Sequence, residues 1–479
     1  MKSIWSENVS LPERPPLDGE LSVDVAVIGG GLAGVLTAYL LREQGVEAVV
    51  LEARRVGSGQ TRNTTAKVTL QHGLIYGRLI EQFGHRKAEQ YARANRRAIE
   101  EYRQMIKRLH INCDWEECPA YLYSTLDAAP LRQEAEAARS LGIEAELTGK
   151  IELPFSVEGA LMFPDQARFH PLEFLATVAA QVPVYENTRV KKAEQHCLLT
   201  DRGKVTAKRI VFATHYPFVN RPGYYFLRTH QERSYVLALE NAAILQGMYY
   251  GVDPDGFSFR PAGDVLLLGG GNHRTGENSK GGRYDRLRRK AKELWPRSQE
   301  RTYWSAQDCM TLDGIPYIGP FTSENDNWYV ATGFQKWGMT TSMAAAQILT
   351  CQITGQSHPD EDVFSPQRFA LSASAKTLAE EGLQAAKGIA RSFLGLPRAS
   401  LDALPLGHGG IVEQGGEKVG VYKNEQGETF AVSTRCPHLG CQLEWNPDEK
   451  SWDCPCHGSR FDYRGQLIDN PAQEDLPHA

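Results

Sequence analysis

Val23-Asp-Val-Ala-Val-Ile-Gly-Gly-Gly-Leu-Ala-Gly34 decides how the first part of this 479-residue chain folds. A short β-branched run ends in glycines, and Leu32 to Arg42 then follows with helical spacing. Glu47-Ala-Val-Val-Leu51 reads as a second strand, so the segment predicts a β-α-β unit. Gly29-Gly-Gly31-Leu-Ala-Gly34 fits G-x-G-x-x-G, and Glu52 stands 18 residues beyond Gly34. The pattern alone is weak. A strand before it, a helix after it and an acid at the end of the second strand make it specific. Gly29, Gly31 and Gly34 permit a tight turn and close approach to a pyrophosphate, at a helix N-terminus with unpaired N–H groups. Glu52 can accept hydrogen bonds from both ribose hydroxyls, and its charge repels a 2′-phosphate. FAD or NAD is therefore favoured over NADP.

Working outward, residues 1–21 are rich in Pro and charge and read as an N-terminal arm. Residues 84–109 and 130–141 read as helices. Arg209-Ile-Val-Phe-Ala213, Tyr235-Val-Leu-Ala-Leu239 and Val265-Leu-Leu-Leu268 read as strands. Tyr329-Val-Ala331 leads through Gly333 and Gly338 into a helix over Met343 to Thr354. Leu268-Gly-Gly-Gly-Asn-His-Arg-Thr-Gly276 does not fit a second nucleotide fingerprint and reads as a turn after a strand, over the substrate cavity. Residues 371–395 read as one more helix. Leu396 to Gly410, with Pro397 and Pro405, reads as a boundary, after which short strands suggest a small all-β module.

Composition bounds the function. The chain is 41% hydrophobic and 23% charged with a net charge of −5, ordinary for a globular protein and unsuited to nucleic-acid binding. No apolar run approaches the roughly 20 residues of a membrane span, and the N-terminus shows no apolar leader, so the cytoplasm is the expected compartment.

The sharpest pattern lies near the C-terminus. Cys436-Pro-His438-Leu-Gly-Cys441 and Cys454-Pro-Cys456-His457-Gly-Ser459 give C-x-H, a 15-residue gap, then C-x-x-H. Cys436, His438, Cys454 and His457 supply the two thiolates and two imidazoles that a Rieske [2Fe–2S] centre needs. A Cys2His2 zinc site uses the same ligand types, but this is not zinc-finger spacing. The 13 histidines include no pair four or five apart, so the usual motif of a non-haem iron oxygenase is missing.

The large unit resembles the glycine- and D-amino-acid-oxidase-like flavoproteins. Beyond the fingerprint, Glu52-Ala53 through Thr61 is similar to that family's segment over the FAD pyrophosphate. Arg189-Val190 and Ile210-Val-Phe-Ala213-Thr214 resemble its adenine and ribose segments. Asp313-Gly314-Ile-Pro-Tyr-Ile-Gly319 and Ala331-Thr-Gly333-Phe-Gln-Lys-Trp-Gly338-Met339-Thr340 resemble its closing motif, which brings a second helix N-terminus toward the flavin. The resemblance implies FAD. It also implies an α/β (α+β) Rossmann-like FAD-binding domain with an inserted antiparallel-sheet substrate domain over residues 22–370. A helix and linker, 371–404, and an all-β Rieske domain, 405–479, would follow. In the disulfide-containing branch of the Rieske family, the cysteines matching Cys441 and Cys456 bridge the cluster loops, and Ser459 matches a hydrogen-bond donor to the cluster. Phe461 stands where high-potential relatives carry a donor Tyr, which predicts a lower potential.

With Thr64-Thr-Ala-Lys-Val-Thr-Leu-Gln-His-Gly-Leu-Ile-Tyr76 and Trp304-Ser-Ala-Gln-Asp-Cys-Met-Thr-Leu-Asp313, the combination resembles bacterial FAD-dependent oxidoreductases with a Rieske domain. It implies oxidation of an amine or amino-acid-like small molecule at a C–N bond. Electrons would then pass from FAD through the cluster to an external one-electron protein or quinone. A reductase fed through the cluster, or a non-catalytic redox sensor, are the alternatives. His72, Lys336, Tyr250 and Arg233 are the candidate catalytic residues; Tyr235 and Arg260 are further cavity candidates, with an Arg holding a substrate carboxylate. Cys309 is misplaced for covalent attachment, so non-covalent FAD is expected.

Overall fold

The computed structural model describes residues 2–7, 9–368, 401, 403–414 and 416–479. The helix expected over 371–395 lies outside the described residues.

The first sheet is built around the glycine fingerprint. Val184–Tyr185, Ala48–Leu51, Gly19–Ile28, Gly203–Phe212 and Asn325–Thr332 run parallel in that order, and Tyr317–Thr322 closes the edge antiparallel. Val25, Val27 and Val50 are buried because helices cover the sheet, as parallel sheets require. The helices Leu32–Glu43 and Gly338–Ile353 pack against each other there, through chains such as Val35, Leu36, Ala345 and Ile348.

A second sheet of nine strands forms the inserted unit. Its long strands Thr229–Glu240, Val265–Arg274 and Gln299–Thr311 are antiparallel neighbours; Met248–Gly251 and Glu116–Ser124 are its parallel pair. The stretch Leu268 to Arg274, expected as a turn, instead continues the strand, with Gly269 opposite Val236 and Gly270 opposite Tyr235. Space explains those glycines: a Cβ on Gly269 would stand 2.5 Å from Ser258 Oγ, and one on Gly270 3.1 Å from the Phe257 ring. The expected position over the cavity holds, since both glycines line it.

The N-terminal arm is pinned to the body. Trp5 is buried and donates to the Thr64 carbonyl at 2.7 Å, and Leu17 N–H donates to Thr188 Oγ1 at 2.9 Å. The C-terminal module consists of a three-stranded and a four-stranded antiparallel sheet over residues His408–Asp469. Its core joins Tyr422, Trp445, Trp452 and Phe461 to the clustered cysteines.

Candidate functional site

One cavity runs from the glycine fingerprint to the second sheet. Gly31 caps the helix Leu32–Glu43 and has no side chain of its own to cover the helix end, which faces the cavity. Gly29 has φ +113°, and a Cβ there would crowd the Ala213 carbonyl. At Gly34 a side chain would run into the Gly29 carbonyl. Glu52 Oε2 accepts from Gly30 N–H at 2.6 Å and Oε1 from Arg54 N–H at 2.8 Å. Burial pushes the Glu52 pKa up, and the two amides oppose that shift. Thr61 Oγ1 accepts from Leu32 N–H at 3.1 Å, which ties its loop to the helix start. This turn, open helix end and buried acid fit an adenine dinucleotide such as FAD.

Of the other expected cofactor residues, Ala53, Val190, Ala213, Thr214, Gly338 and Met339 line the cavity with Gly29, Gly31, Glu52 and Thr61. Gly34, Gly314, Gly333 and Thr340 do not. Gly314 gives room to the Arg78 guanidinium and Gly333 to Thr311, while Thr340 Oγ1 bonds the Thr69 backbone at 2.9 and 3.0 Å. These four shape the walls from behind.

The expected catalytic set divides. Tyr250 lines the cavity edge-on to Trp337, and burial raises its pKa. Lys336 also lines it, and its Nζ pairs with Glu232 at 3.1 Å and Asp308 at 3.3 Å. Burial works against its charge, but the Asp308 and Glu232 carboxylates outweigh that and raise its pKa. His72 does not face the cavity. It stacks on Trp337 with ring centroids 5.0 Å apart, and its Nδ1 is 2.6 Å from Tyr91 Oη. Burial lowers its pKa to about 3, so it stays neutral. Arg233 lies at the boundary with the C-terminal module instead, bound to Glu449. Arg260 is buried against Trp5 and donates to the Pro261 and Phe169 carbonyls, and neither arginine lines the cavity. Tyr235 lines the cavity with its hydroxyl 3.0 Å from His273 Nε2.

Lys67 was not foreseen. It is buried in the cavity wall, with Nζ 3.3 Å from the Tyr249 carbonyl. Burial lowers its pKa to about 7, and the nearby Arg260 acts in the same direction.

In the small module two hairpin-like loops face each other. Cys436 N–H donates to the Cys441 carbonyl at 2.9 Å, and Cys454 N–H to the Ser459 carbonyl at 2.8 Å. Cys441 and Cys456 form a disulfide between the loops. Cys441, Cys454 and Cys456 have sulfurs within 4.8 Å of one another, but the disulfide occupies two of them. Cys436 and Cys454 are free and buried. A hydrogen bond between them lowers the Cys436 pKa and raises that of Cys454. The His438 and His457 rings lie 4.9 Å apart. His438 Nε2 is 2.7 Å from Asn220 Oδ1, an acceptor, which puts the ring proton on Nε2. Its buried Nδ1 has no hydrogen-bond partner and is left with its lone pair. Two thiols and two imidazoles so placed fit a cluster held by Cys436, Cys454, His438 and His457. Ser459 bonds toward Cys436, whereas Phe461 brings no donor.

The two sites share walls. Leu467, Ile468, Asp469 and Asn470 of the module line the large cavity. Arg54 donates to the Leu467 and Ile468 carbonyls at 2.7 and 2.6 Å, and Asn470 to those of Thr214 and Tyr216 at 3.1 and 2.7 Å. Phe226 lies edge-on to both histidine rings, at 6.3 and 5.7 Å. None of this boundary was foreseen.

Comparison with known proteins agrees with both halves. Residues 24–352 match the family described as FAD dependent oxidoreductase, and residues 399–479 the Rieske [2Fe-2S] domain. The chain is 36% identical to a putative Rieske 2Fe-2S iron-sulfur protein, YhfW, of Bacillus subtilis, over 99% of this chain and 97% of that one. It is 26% identical to the gamma-glutamylputrescine oxidoreductase of Escherichia coli over 41% of this chain and 50% of that one. The fold is similar to that of glycine oxidase from Geobacillus kaustophilus, with a TM-score of 0.62 at 20% identity, covering 73% of this chain and 99% of that one. Among the described residues no helix is long and apolar enough to cross a membrane.

Proposed function

The chain belongs to the FAD dependent oxidoreductase family and carries a Rieske domain, and from that premise we propose that it dehydrogenates an amine or amino-acid-like compound. Electrons would leave one at a time through the Rieske domain to an external acceptor. The observation that carries this reading is the shared wall: residues of the cluster-bearing module line the same cavity as the glycine fingerprint. When bound, FAD supplies a two-electron acceptor for a C–N bond and the [2Fe–2S] cluster a one-electron centre.

The chain's own residues supply binding and electrostatics. Gly29, Gly31 and Glu52 orient the dinucleotide. Asp308 and Glu232 hold Lys336 as a fixed ammonium in the wall, a charge suited to a developing anion beside it. Trp337 and Tyr250 form an aromatic surface that excludes water. His72, neutral and stacked behind Trp337, positions that surface rather than moving a proton. Cys436, His438, Cys454 and His457 would hold the cluster, and Cys441–Cys456 fixes their loops.

The test is an anaerobic absorption spectrum of the holoprotein before and after a panel of secondary amines and amino acids. A compound that bleaches the flavin band, followed by fading of the Rieske absorption, supports the proposal. Bleaching by a reduced ferredoxin and by no amine reverses the electron flow and replaces it with a reductase.

A further inference from the structure

Two buried glutamines join the cluster loop to the cavity. Gln231 and Gln307 lie on neighbouring strands of the second sheet, Thr229–Glu240 and Gln299–Thr311, and both are almost fully buried. Gln231 Nε2 donates to the His457 carbonyl at 2.8 Å and to the Asn470 carbonyl at 3.0 Å. Gln307 Nε2 donates to Gln231 Oε1 at 2.6 Å and to the Gly458 carbonyl at 2.8 Å. Gln307 Oε1 accepts from Arg233 Nη1 at 3.3 Å, and its backbone N–H is held by Gln60 Oε1 at 2.8 Å. Every side-chain amide proton of the pair has an acceptor, which fixes both orientations. Gly458 has φ +82°, and a Cβ there would stand 2.6 Å from Gln231 Cβ, so the loop's glycine lets the amide come close.

We propose that Gln231 and Gln307 form the main electron bridge between the flavin cavity and the cluster, Gln231 being the node where its two glutamine routes meet. The proposal rests on the electron flow put forward above. The path is continuous: the carbonyl of the cluster-loop residue His457, the Gln231 amide, the Gln307 amide, and the cavity wall that Gln307 itself forms. A second connection, Asn470 to the Thr214 carbonyl, also reaches the His457 carbonyl through Gln231, while a third runs along the module's own backbone, where Ala472 N–H donates to Ser459 Oγ at 3.0 Å. The bridge moves one electron at a time, oxidising one end and reducing the other by that same electron, and no bond within it forms or breaks. Docking alone does not call for two desolvated amides here. The boundary already carries the Arg233–Glu449 ion pair and the Arg54 and Arg274 bonds to module carbonyls.

The experiment is flash photoreduction of the full-length holoprotein with 5-deazariboflavin, following flavin and cluster absorption separately. The wild type is expected to show a first-order phase, independent of protein concentration, in which the two centres exchange electrons. Gln231→Leu is expected to slow that phase at least tenfold and Gln307→Leu to slow it less, with the midpoint potential and EPR line shape of the cluster unchanged in both. Arg274→Met, which cuts a boundary contact off the path, is expected to keep the phase. Should Gln231→Leu not retain its cluster, Gln307→Leu and the isosteric Gln307→Glu decide. Wild-type rates in the glutamine variants overturn the bridge alone, as does a slowed phase matched by a shifted cluster potential. Absence of any exchange phase in the wild type overturns the electron flow itself.

Discussion

Arg233 of the second sheet and Glu449 of the C-terminal module form a doubly hydrogen-bonded ion pair across the domain boundary, at 3.0 and 2.5 Å, with both side chains almost fully buried. Arg460 adds a second cation to Glu449 at 3.2 Å and binds Asp453 and Asp469 at 3.0 Å. Removing one member of a buried pair leaves the other charge uncompensated. Glu449→Ala, which strips Arg233 of its carboxylate, should therefore cost about 3–5 kcal/mol, and Arg233→Ala, where Arg460 still pairs with Glu449, should cost less, both read as an earlier denaturant midpoint for release of the module. Burial opposes the Glu449 charge, but Arg233 and Arg460 outweigh it and hold the pKa at about 2 against an ordinary 4.5. The folded value is depressed, so this contribution is complete above pH 4.5 and is lost as pH falls toward 2. A Glu449→Gln protein should show a flatter loss of stability over that window. An unchanged acid profile would count against the lock.

Asn220 gives a second prediction, at the cluster. Its carboxamide oxygen accepts the His438 Nε2–H, and such a partner raises the basicity of a ligand imidazole and favours the oxidised cluster. Asn220→Leu should raise the midpoint potential by about 40 mV, the one-electron equivalent of a net hydrogen bond worth ~1 kcal/mol. Phe461→Tyr should also raise it, by adding a donor near the cluster. Redox titration followed by circular dichroism measures both. A potential in the unmodified protein as high as that of respiratory Rieske proteins would remove the basis for the Phe461 argument.

Much of this fold was legible because its signals are local. The β-α-β unit, the helix from Leu32 and the paired Cys and His loops each lie within a short window, where glycine spacing or ligand spacing dictates geometry. Gly269 and Gly270 misled because glycine in a strand weakens it, and only the close approach of Ser258 and Phe257 explains them. His72 and Arg233 misled for a related reason. Which way a side chain points across a sheet boundary depends on partners hundreds of positions away: Arg233 meets Glu449, 216 residues on. Lys67, Gln231 and Gln307 carry no chemical signature in the sequence: the role of Lys67 comes from its burial, and those of the two glutamines from hydrogen bonds to the cluster loop.

Glu52 bears a third prediction. Its two oxygens accept the Gly30 and Arg54 amides, so the acid both shapes the turn and faces the nucleotide. Glu52→Ala leaves two amides without their acceptor and removes the ribose contact. FAD retention should fall by ~1–3 kcal/mol, about five- to 150-fold in affinity, measured by flavin fluorescence on titrating apoprotein. Glu52→Gln keeps one acceptor oxygen and should fall between the two. Equal FAD affinity in all three proteins would deny the residue its role.

Lys67 supplies the last prediction, through its charge. Burial lowers its pKa from 10.5 to about 7, so in the empty cavity it is a cation below pH 7 and neutral above. A carboxylate ligand at that end of the cavity should bind best below pH 7. It should weaken about tenfold per unit above it, taking up a proton as it binds. Benzoate, followed by perturbation of the flavin spectrum, is a suitable probe, and Lys67→Met should bind it weakly with no pH dependence. The same linkage bears on stability with its own sign. Between pH 7 and 10.5 the unfolded chain holds a proton on Lys67 that the folded one has lost, so stability gains from this residue as pH rises. Lys67→Met should lack that slope. Benzoate binding that is equally tight at pH 6 and pH 9 in the unmodified protein would show that Lys67 keeps its charge throughout.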